Sequence, residues 1–254
     1  MPTISEPKQE RQAFPVSFMV ITCDDDKERL QGLINTIPQG AELCILYNQR
    51  GESESLSEVE VIDNGAHTVR LRRWTYVGDF HFAQARNLCD ELATNEWLMW
   101  VDSDDRLSAC QHELIRTFAT QCPAGYGGAW AGVCSYETSW DGIARGKITS
   151  AYQLRFYRKS VGAKWEGRVH EQIHTAIQQR GFQTAETSVI VIHTGYMGSV
   201  DDRERKLQRN FDLLTKQVAE GTSSETLTQF YKEALMDTST ALYQLKSLRK
   251  NNHG

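Results

Sequence analysis

Short apolar runs alternate along this chain with segments whose apolar residues recur at helical spacing. VSFMVIT (16–22) is apolar and rich in β-branched residues and predicts a strand. In CDDDKERLQGLINTI, which follows, Leu30, Leu33, Ile34 and Ile37 stand at the i, i+3, i+4, i+7 positions of one helix face. The aspartates ahead of it suit a helix N-terminus. LCILY (43–47) reads as a second buried strand, QRGESESLSE as a loop and TVRL (68–71) as a third strand. In DFHFAQARNLCDELAT, Ala85, Leu88, Cys89 and Leu92 mark another helical face. The strand WLMWV comes next, then the helix SACQHELIRTFATQ, with Ser108 and Gln111 at capping-box spacing.

The pattern then changes. GAWAGVCSY (128–136) and AYQLRFYR (151–158) predict strands around a polar loop, TSWDGIARGKIT. VHEQIHTAIQQRGF predicts a helix that turns Val169, Ile173, Ala176 and Ile177 inward and stops at Gly181. SVIVIH is the last strand. Leu207, Phe211, Leu214 and Val218 line one closing helix, and Leu227, Tyr231, Leu235, Leu242 and Leu245 a second. The fold class is α/β: a mixed central sheet, nucleotide-type in its first half, flanked by helices and followed by a short C-terminal helical tail.

Composition narrows this only mildly. With 254 residues, 40% hydrophobic and 24% charged, the chain has an ordinary globular balance and enough length for a substantial core. No apolar stretch reaches the ~18 residues of a membrane span. The N-terminus MPTISEPKQERQAF lacks the apolar core of a secretory signal, so a disordered lead-in and a cytoplasmic location are expected. Cys23, Cys44, Cys89, Cys110, Cys122 and Cys134 show no zinc-type spacing and read as reduced, structural thiols. A net charge of −5 gives no general attraction to nucleic acid. The basic run RLRRW reads as a strand's solvated face.

The chemistry concentrates where WLMWV runs into Asp102-Ser103-Asp104-Asp105. Carboxylates this close repel one another unless something positive sits among them. They fall between a strand's carboxyl end and the next helix, the edge at which open α/β sheets bind ligands. If the strand stays extended through Asp104, Asp102 and Asp104 share a face and suit a hard divalent cation. A solvated turn ahead of a helix is the other reading of the same residues.

Three stretches in order carry a family resemblance: FHFAQARNLCDELATNEWLMWVDSDDRL, LRFYRKSVGAKWEGRVHEQI (154–173) and IHTGYMGSVDDRERKLQRNFDLL (192–214). The chain resembles the inverting family-2 glycosyltransferases of the GT-A fold, and among them a bacterial subgroup with D-x-D, W-E-G-x-V-H-E and H-x-G-Y motifs. The resemblance implies a lead-in over 1–14, a GT-A-type catalytic domain over 15–200 and a helical extension over 201–254. It implies a metal-dependent glycosyltransferase that moves a sugar from a nucleoside-diphosphate donor, by family default a UDP-sugar, to a glycan, lipid-linked or protein acceptor.

By the same carry-over, Asp102 and Asp104 hold Mn²⁺ or Mg²⁺, with His193 a further metal or diphosphate contact. Thr22, Asp24, Arg86 and Asp102 belong to the donor site. Inversion requires a group to take the acceptor's proton. Glu171, placed by the sequence near a helix start, is the first candidate, with His170 competing and Asp105 third. Arg86 either reaches a phosphate or pairs with the aspartates. Arg203, Arg205, Lys206 and Arg209 either clamp the diphosphate or form a charged helix face. Trp165 and Gly167 are candidates for an acceptor platform.

The chain departs from the family's pattern at two turns. Thr22-Cys23-Asp24-Asp25-Asp26 stands for a Lys-Asn-Glu-like turn, and Asn48-Gln49-Arg50-Gly51 for an acidic, Ser/Thr-rich one. These departures keep open a module that binds nucleotide or glycan without turnover. A nucleotidyltransferase is a third reading, against which no Gly-rich phosphate loop follows the first strand. Homo-oligomerisation is left open.

Overall fold

A computed structural model of the chain describes residues 13–137, 147–196 and 199–251. Most of the expected lead-in and of the TSWDGIARGKIT loop lies outside the described residues. The first half runs β1 (Val16–Thr22), α1 (Lys27–Ile34), β2 (Glu42–Arg50), β3 (Ser55–Leu56), β4 (Glu60–Asp63), β5 (Thr68–Tyr76), α2 (Phe82–Asp90), β6 (Trp97–Trp100), β7 (Asp105–Arg106) and α3 (Ala109–Gln121). The second runs β8 (Tyr126–Glu137), β9 (Lys147–Arg158), α4 (His174–Gln179), β10 (Gln183–Tyr196), α5 (Val200–Glu220) and α6 (Glu225–Asn251).

All strands join one mixed sheet in the order β3-β5-β2-β1-β6-β9-β8-β10-β7, with β4 also on β5. β5, β2, β1 and β6 are mutually parallel. β9 then runs antiparallel to both β6 and β8, β10 is parallel to β8, and β7 closes the edge antiparallel to β10. From β1 the chain adds β2 on one side and β6 on the other. The crevice at the carboxyl ends of β1 and β6 is therefore the point where strand order reverses.

Helices cover both faces, which is why the central strands read as unbroken apolar runs. Val16, Phe18, Val20, Leu43, Ile45, Trp97 and Met99 point to one side, where they pack with Leu33, Ile37 and Ile115 of the α1 and α3 segments. Met19, Cys44, Leu46 and Leu98 point to the other, against Ala83, Ala85, Cys89 and Leu92. A smaller core joins Val169 to Leu213, Leu214, Leu227 and Tyr231 of α5 and α6. All six cysteines are free thiols. No helix among the described residues is long and apolar enough to cross a membrane.

Several expectations change. The loop QRGESESLSE contains β3, and β4 follows it. Both are edge strands with exposed side chains, so they leave no apolar pattern. TVRL is only the first part of β5. Its arginines are held by acids: Arg70 Nε donates to the buried Glu42 carboxylate at 2.8 Å, and Arg72 to Glu91 at 2.8 Å. Ser108 precedes α3 without capping it. Gln111 instead accepts the Ile190 N–H at 2.8 Å and ties the helix to β10. The capping box that does close is at α5, where Ser199 and Asp202 exchange bonds.

The helix expected over 169–182 starts only at His174. His170 has φ 53°, and Glu166 bridges to Gln172 in antiparallel fashion. Glu171 therefore lies in an irregular loop ahead of α4 rather than in a first helical turn.

One buried acid gives the fold a pH signature. At the end of α2 the Asp90 carboxylate accepts from the Tyr157 hydroxyl, and burial pushes it up to about 7. An acid raised on folding stabilises the native state below its unfolded value near 3.8, and that contribution is lost as pH rises through 7. Asp90→Asn, which still accepts from Tyr157, is expected to flatten the fall in Tm between pH 5 and pH 8. Parallel Tm profiles for the two proteins would refute this placement of the titration.

Candidate active site

β6 stops at Trp100, and the acidic segment does not continue as a strand. Asp102 to Asp105 close a turn, with the Asp105 N–H on the Asp102 carbonyl at 2.9 Å. Strand alternation is thus not what brings the acids together. The turn curls them inward while β7 pairs with β10, in a register that sets His193 opposite Asp105. One ligand atom from each of Asp102, Asp104, Asp105 and His193 lies within 4.8 Å of the others.

Two arginines make this packing of acids stable. Arg155 projects from β9 and is only 1% exposed; its Nη1 donates to Asp105 Oδ2 at 2.7 Å, and its Nη2 lies 3.7 Å from Asp102. Arg86 of α2 lies 3.5 Å from the other Asp102 oxygen and donates through Nε to Glu171. Both guanidinium carbons stack on the Trp100 ring, at 3.6 and 3.9 Å from its centre. Two such groups overlap unless they take opposite faces, so the indole separates two like charges and is attracted to both. The Trp100 N–H is anchored on the Leu154 carbonyl at 2.6 Å.

The carboxylates respond to these surroundings differently. Burial and the neighbouring Asp105 raise Asp102 above the usual carboxylate range, against the pull of Arg155 and Arg86. Burial would raise Asp105 as well, but Arg155, the His193 ring and the Asp102 N–H hold it below the usual carboxylate range. Arg86 is also buried, and Glu171 and Asp102 keep it above its ordinary value.

Asp105 is fully buried and committed. Oδ2 takes Arg155 and the Asp102 N–H at 2.8 Å, while Oδ1 faces His193 Nδ1 at 2.9 Å. That bond orients the imidazole and turns Nε2 toward the space beside Gly195, where a Cβ would overlap both His193 Nε2 and Asp104 Oδ2. The glycine of H-T-G-Y thus leaves a gap onto which a carboxylate oxygen and a ring nitrogen converge. Burial opposes the charge on His193, yet Asp105, Asp104 and Asp102 together raise it. Oxygens from Asp102 and Asp104, with an imidazole oriented by a carboxylate behind it, are a donor set that fits a hard divalent cation.

These groups open on a cavity of about 830 Å³ at the carboxyl edge, bounded by the end of β1, the acidic turn, β10, α5 and α6. Arg29, Arg203, Lys206 and Arg209 lie on its wall. Lys206 is aimed by a 3.0 Å bond to the Gly195 carbonyl. Arg205 turns away and pairs with Asp202 in solvent. The four cations over 203–209 are therefore divided: three line the cavity and Arg205 lies on a charged helix face.

The other expected site residues distribute unevenly. Thr22 is buried at the end of β1 with no partner for its hydroxyl, and its carbonyl accepts from Asn48 at 2.6 Å. Asp24 is exposed, pairs with Lys27 at 3.0 Å and is not on the cavity wall, whereas Cys23 and Asp26 are. His170 lines the cavity and is exposed there. Glu171, on Arg86, stands one residue behind it. Trp165 is 5% exposed and packs edge-on against Trp100 and Tyr157, so it is a core residue rather than an open sugar platform.

The A-R-N sequence of α2 now has a physical reading. Ala85 packs on the sheet, Arg86 joins Asp102 to Glu171, and Asn87 clamps the Trp165 main chain with bonds of 3.0 and 2.9 Å. The sequence did not single out Arg155, Trp100 or Gly195. For Arg155 a signal was present: a lone arginine between Leu154 and Phe156 in an apolar strand needs a buried counter-charge.

No family model matches the sequence, and no curated protein matches it. Among solved structures, a crystal structure of S. aureus TarS aligns at 12% identity and TM-score 0.45, covering 88% of this chain. This chain spans only 43% of that protein. TarS 1–349 in complex with UDP-GlcNAc aligns at 11% identity and TM-score 0.44, over 89% of this chain and 72% of that one. Its complex with UDP aligns at 9% identity and TM-score 0.41, over 87% and 70%.

Arg155 offers a direct test of the acid cluster. Arg155→Met keeps much of the volume but leaves Asp105 buried without its cation, at an expected cost of about 3–5 kcal/mol. Urea unfolding would show this as a clear fall in midpoint, while an unchanged midpoint would show that Arg86 and His193 suffice.

Proposed function

We propose that this chain is a metal-dependent inverting glycosyltransferase that moves a sugar from a nucleoside-diphosphate donor, most simply a UDP-sugar, to an acceptor hydroxyl or other nucleophile. The observation that carries this reading is the division of one cavity. Asp102, Asp104 and His193 converge on one side of it, and Arg29, Arg203, Lys206 and Arg209 lie around it. A diphosphate bridging a cation and basic side chains fits that arrangement, and its place at the strand-order reversal is where such ligands bind.

Asp102, Asp104 and His193 would hold Mn²⁺ or Mg²⁺. When bound, the ion counters the negative charge that develops on the departing diphosphate. The chain's own groups supply the rest. Lys206 and its neighbours on α5 add positive charge at the same leaving group, in a partly enclosed site where such charge acts strongly. Thr22 and Arg86 belong to the donor side, with Arg86 fixing Asp102 rather than opening onto the cavity. Asp24, exposed on its turn, would meet only the outer part of a donor. The acceptor's proton goes to Glu171, with His170, the cavity-lining neighbour, as the other candidate base.

The pairing of Glu171 with Arg86 favours a second reading, a module that binds nucleotide or glycan without turnover. Donor cleavage separates the two. Calorimetric titration of UDP into the protein is expected to show Mn²⁺-dependent binding. Asp104→Asn should weaken it more than about 10-fold, and Gly195→Ala, whose methyl would overlap Asp104 Oδ2 and His193 Nε2, should weaken it as well. Absence of UDP or GDP binding with either metal would overturn the donor-site assignment.

Release of UDP from UDP-sugars then tests the base. Glu171→Gln should slow release about 10²–10⁴-fold with nucleotide affinity retained. Full activity in Glu171→Gln together with loss in His170→Gln would transfer the role to His170. Binding with no release by the wild type would establish the module.

A further inference from the structure

The loop over 165–172 carries both candidate bases, and its main chain is held from two sides. From the sheet side, Asn87 clamps Trp165, and the Phe82 and Ala83 N–H groups at the start of α2 donate to the Arg168 and Gly167 carbonyls at 3.0 and 3.2 Å. From the outer side, Gln217 of α5 accepts the Arg168 N–H at 2.8 Å, and Glu220 takes the Arg168 fork at 2.6 and 2.7 Å. The Ser223 N–H donates to the Glu166 carboxylate at 2.6 Å.

Tyr231 of α6 reaches furthest into this loop. It is fully buried, and its hydroxyl lies 2.9 Å from the Glu166 carbonyl and 3.4 Å from the His170 carbonyl. One proton serves one acceptor well, so Glu166 takes the bond and His170 a weaker share. Gly167, at φ 111°, leaves the room: a Cβ there would overlap the phenol oxygen. Burial, with Glu171 and Glu166 nearby, raises the phenol, so it remains a donor.

The hydroxyl is not needed to satisfy these carbonyls. Glu166 O also accepts the Gln172 N–H at 2.9 Å, and His170 O the Gln172 side chain at 3.1 Å. Nor is it needed to fill the core, since a phenylalanine ring would occupy the same volume. What it adds is direction, at the residue next to Gly167 and at His170, which sits in the left-handed region. The same helix also supplies cavity wall through Thr238 and Ala241.

We infer that Tyr231 is a positioning residue: the α6 phenol sets the main-chain path of loop 165–172 and thereby aims His170 at the cavity and fixes Glu171 behind it on Arg86. This inference rests on the glycosyl-transfer reading of that cavity. The C-terminal helices then form part of the catalytic geometry.

Tyr231→Phe tests it in the full-length protein, with UDP-GlcNAc and UDP-glucose plus Mn²⁺ as probes. UDP affinity should stay within about 2-fold of wild type, and Tm should fall by no more than about 8 °C, the shift that loss of one hydrogen bond gives. Amide exchange of 165–172 should quicken while the central strands stay protected. The kcat for UDP release should fall roughly 10-fold to 100-fold at unchanged donor KM, the signature of misaimed groups. Unchanged kcat in Tyr231→Phe, or a loss matched by equal loss of UDP affinity, would overturn the inference. A wild type that neither binds UDP nor cleaves either donor would instead refute the functional reading, and the positioning role with it.

Discussion

Taking Asp102, Asp104 and Asp105 out of bulk water within one turn costs free energy that their mutual repulsion only increases, and Arg155 and Arg86 offset that cost. Arg155, itself almost fully enclosed, holds Asp105; Asp105 orients His193; His193 and Asp104 face the space beside Gly195. Trp100 makes the pair of arginines compatible by placing an aromatic face against each. Buried ion pairs of this kind contribute little net stability compared with an apolar core. Their effect here is geometric, since both oxygens of Asp105 have assigned partners and fix the turn against β9 and β10.

The same arrangement reaches the rest of the molecule through Arg86. Its guanidinium links Asp102 to Glu171 and so couples the acidic turn to loop 165–172. That loop has little regular structure of its own. It borrows hydrogen bonds from the start of α2 and from α5 and α6, elements far apart in sequence. The cavity is therefore bounded by pieces of the chain that none of the local patterns connects: the end of β1, the turn after β6, the end of β10, and two closing helices.

How much of this was legible depends on what each signal measures. VSFMVIT and WLMWV were readable because a strand covered on both faces is apolar along most of its length, and both are covered on both faces. The helical faces at Ala85, Cys89 and Leu92, and at Leu214, Tyr231 and Leu245, were readable because a single stripe packs inward. β3 and β4 left no such trace, since their side chains are exposed and only their main chains pair. Apolar spacing over 169–177 imitated a helix because Val169 and Ile173 are buried by different neighbours, one by α5 and α6 and the other under the sheet.

By itself, then, the sequence determined the alternation of strands and helices, the placing of three aspartates at a strand's carboxyl end, and the residues that combine to resemble a glycosyltransferase. These are local properties, written in periodicity and in short motifs. Only the tertiary structure decided that Asp105 serves His193 rather than the cavity, that Asp24 faces solvent, that Trp165 is core, and that Arg155 and Tyr231 matter. The reason is physical: a buried charge or hydroxyl takes its role from the partner it meets, and these partners lie 50 or more positions away along the chain. Strand pairing and helix packing bring them together, and no local pattern records that meeting.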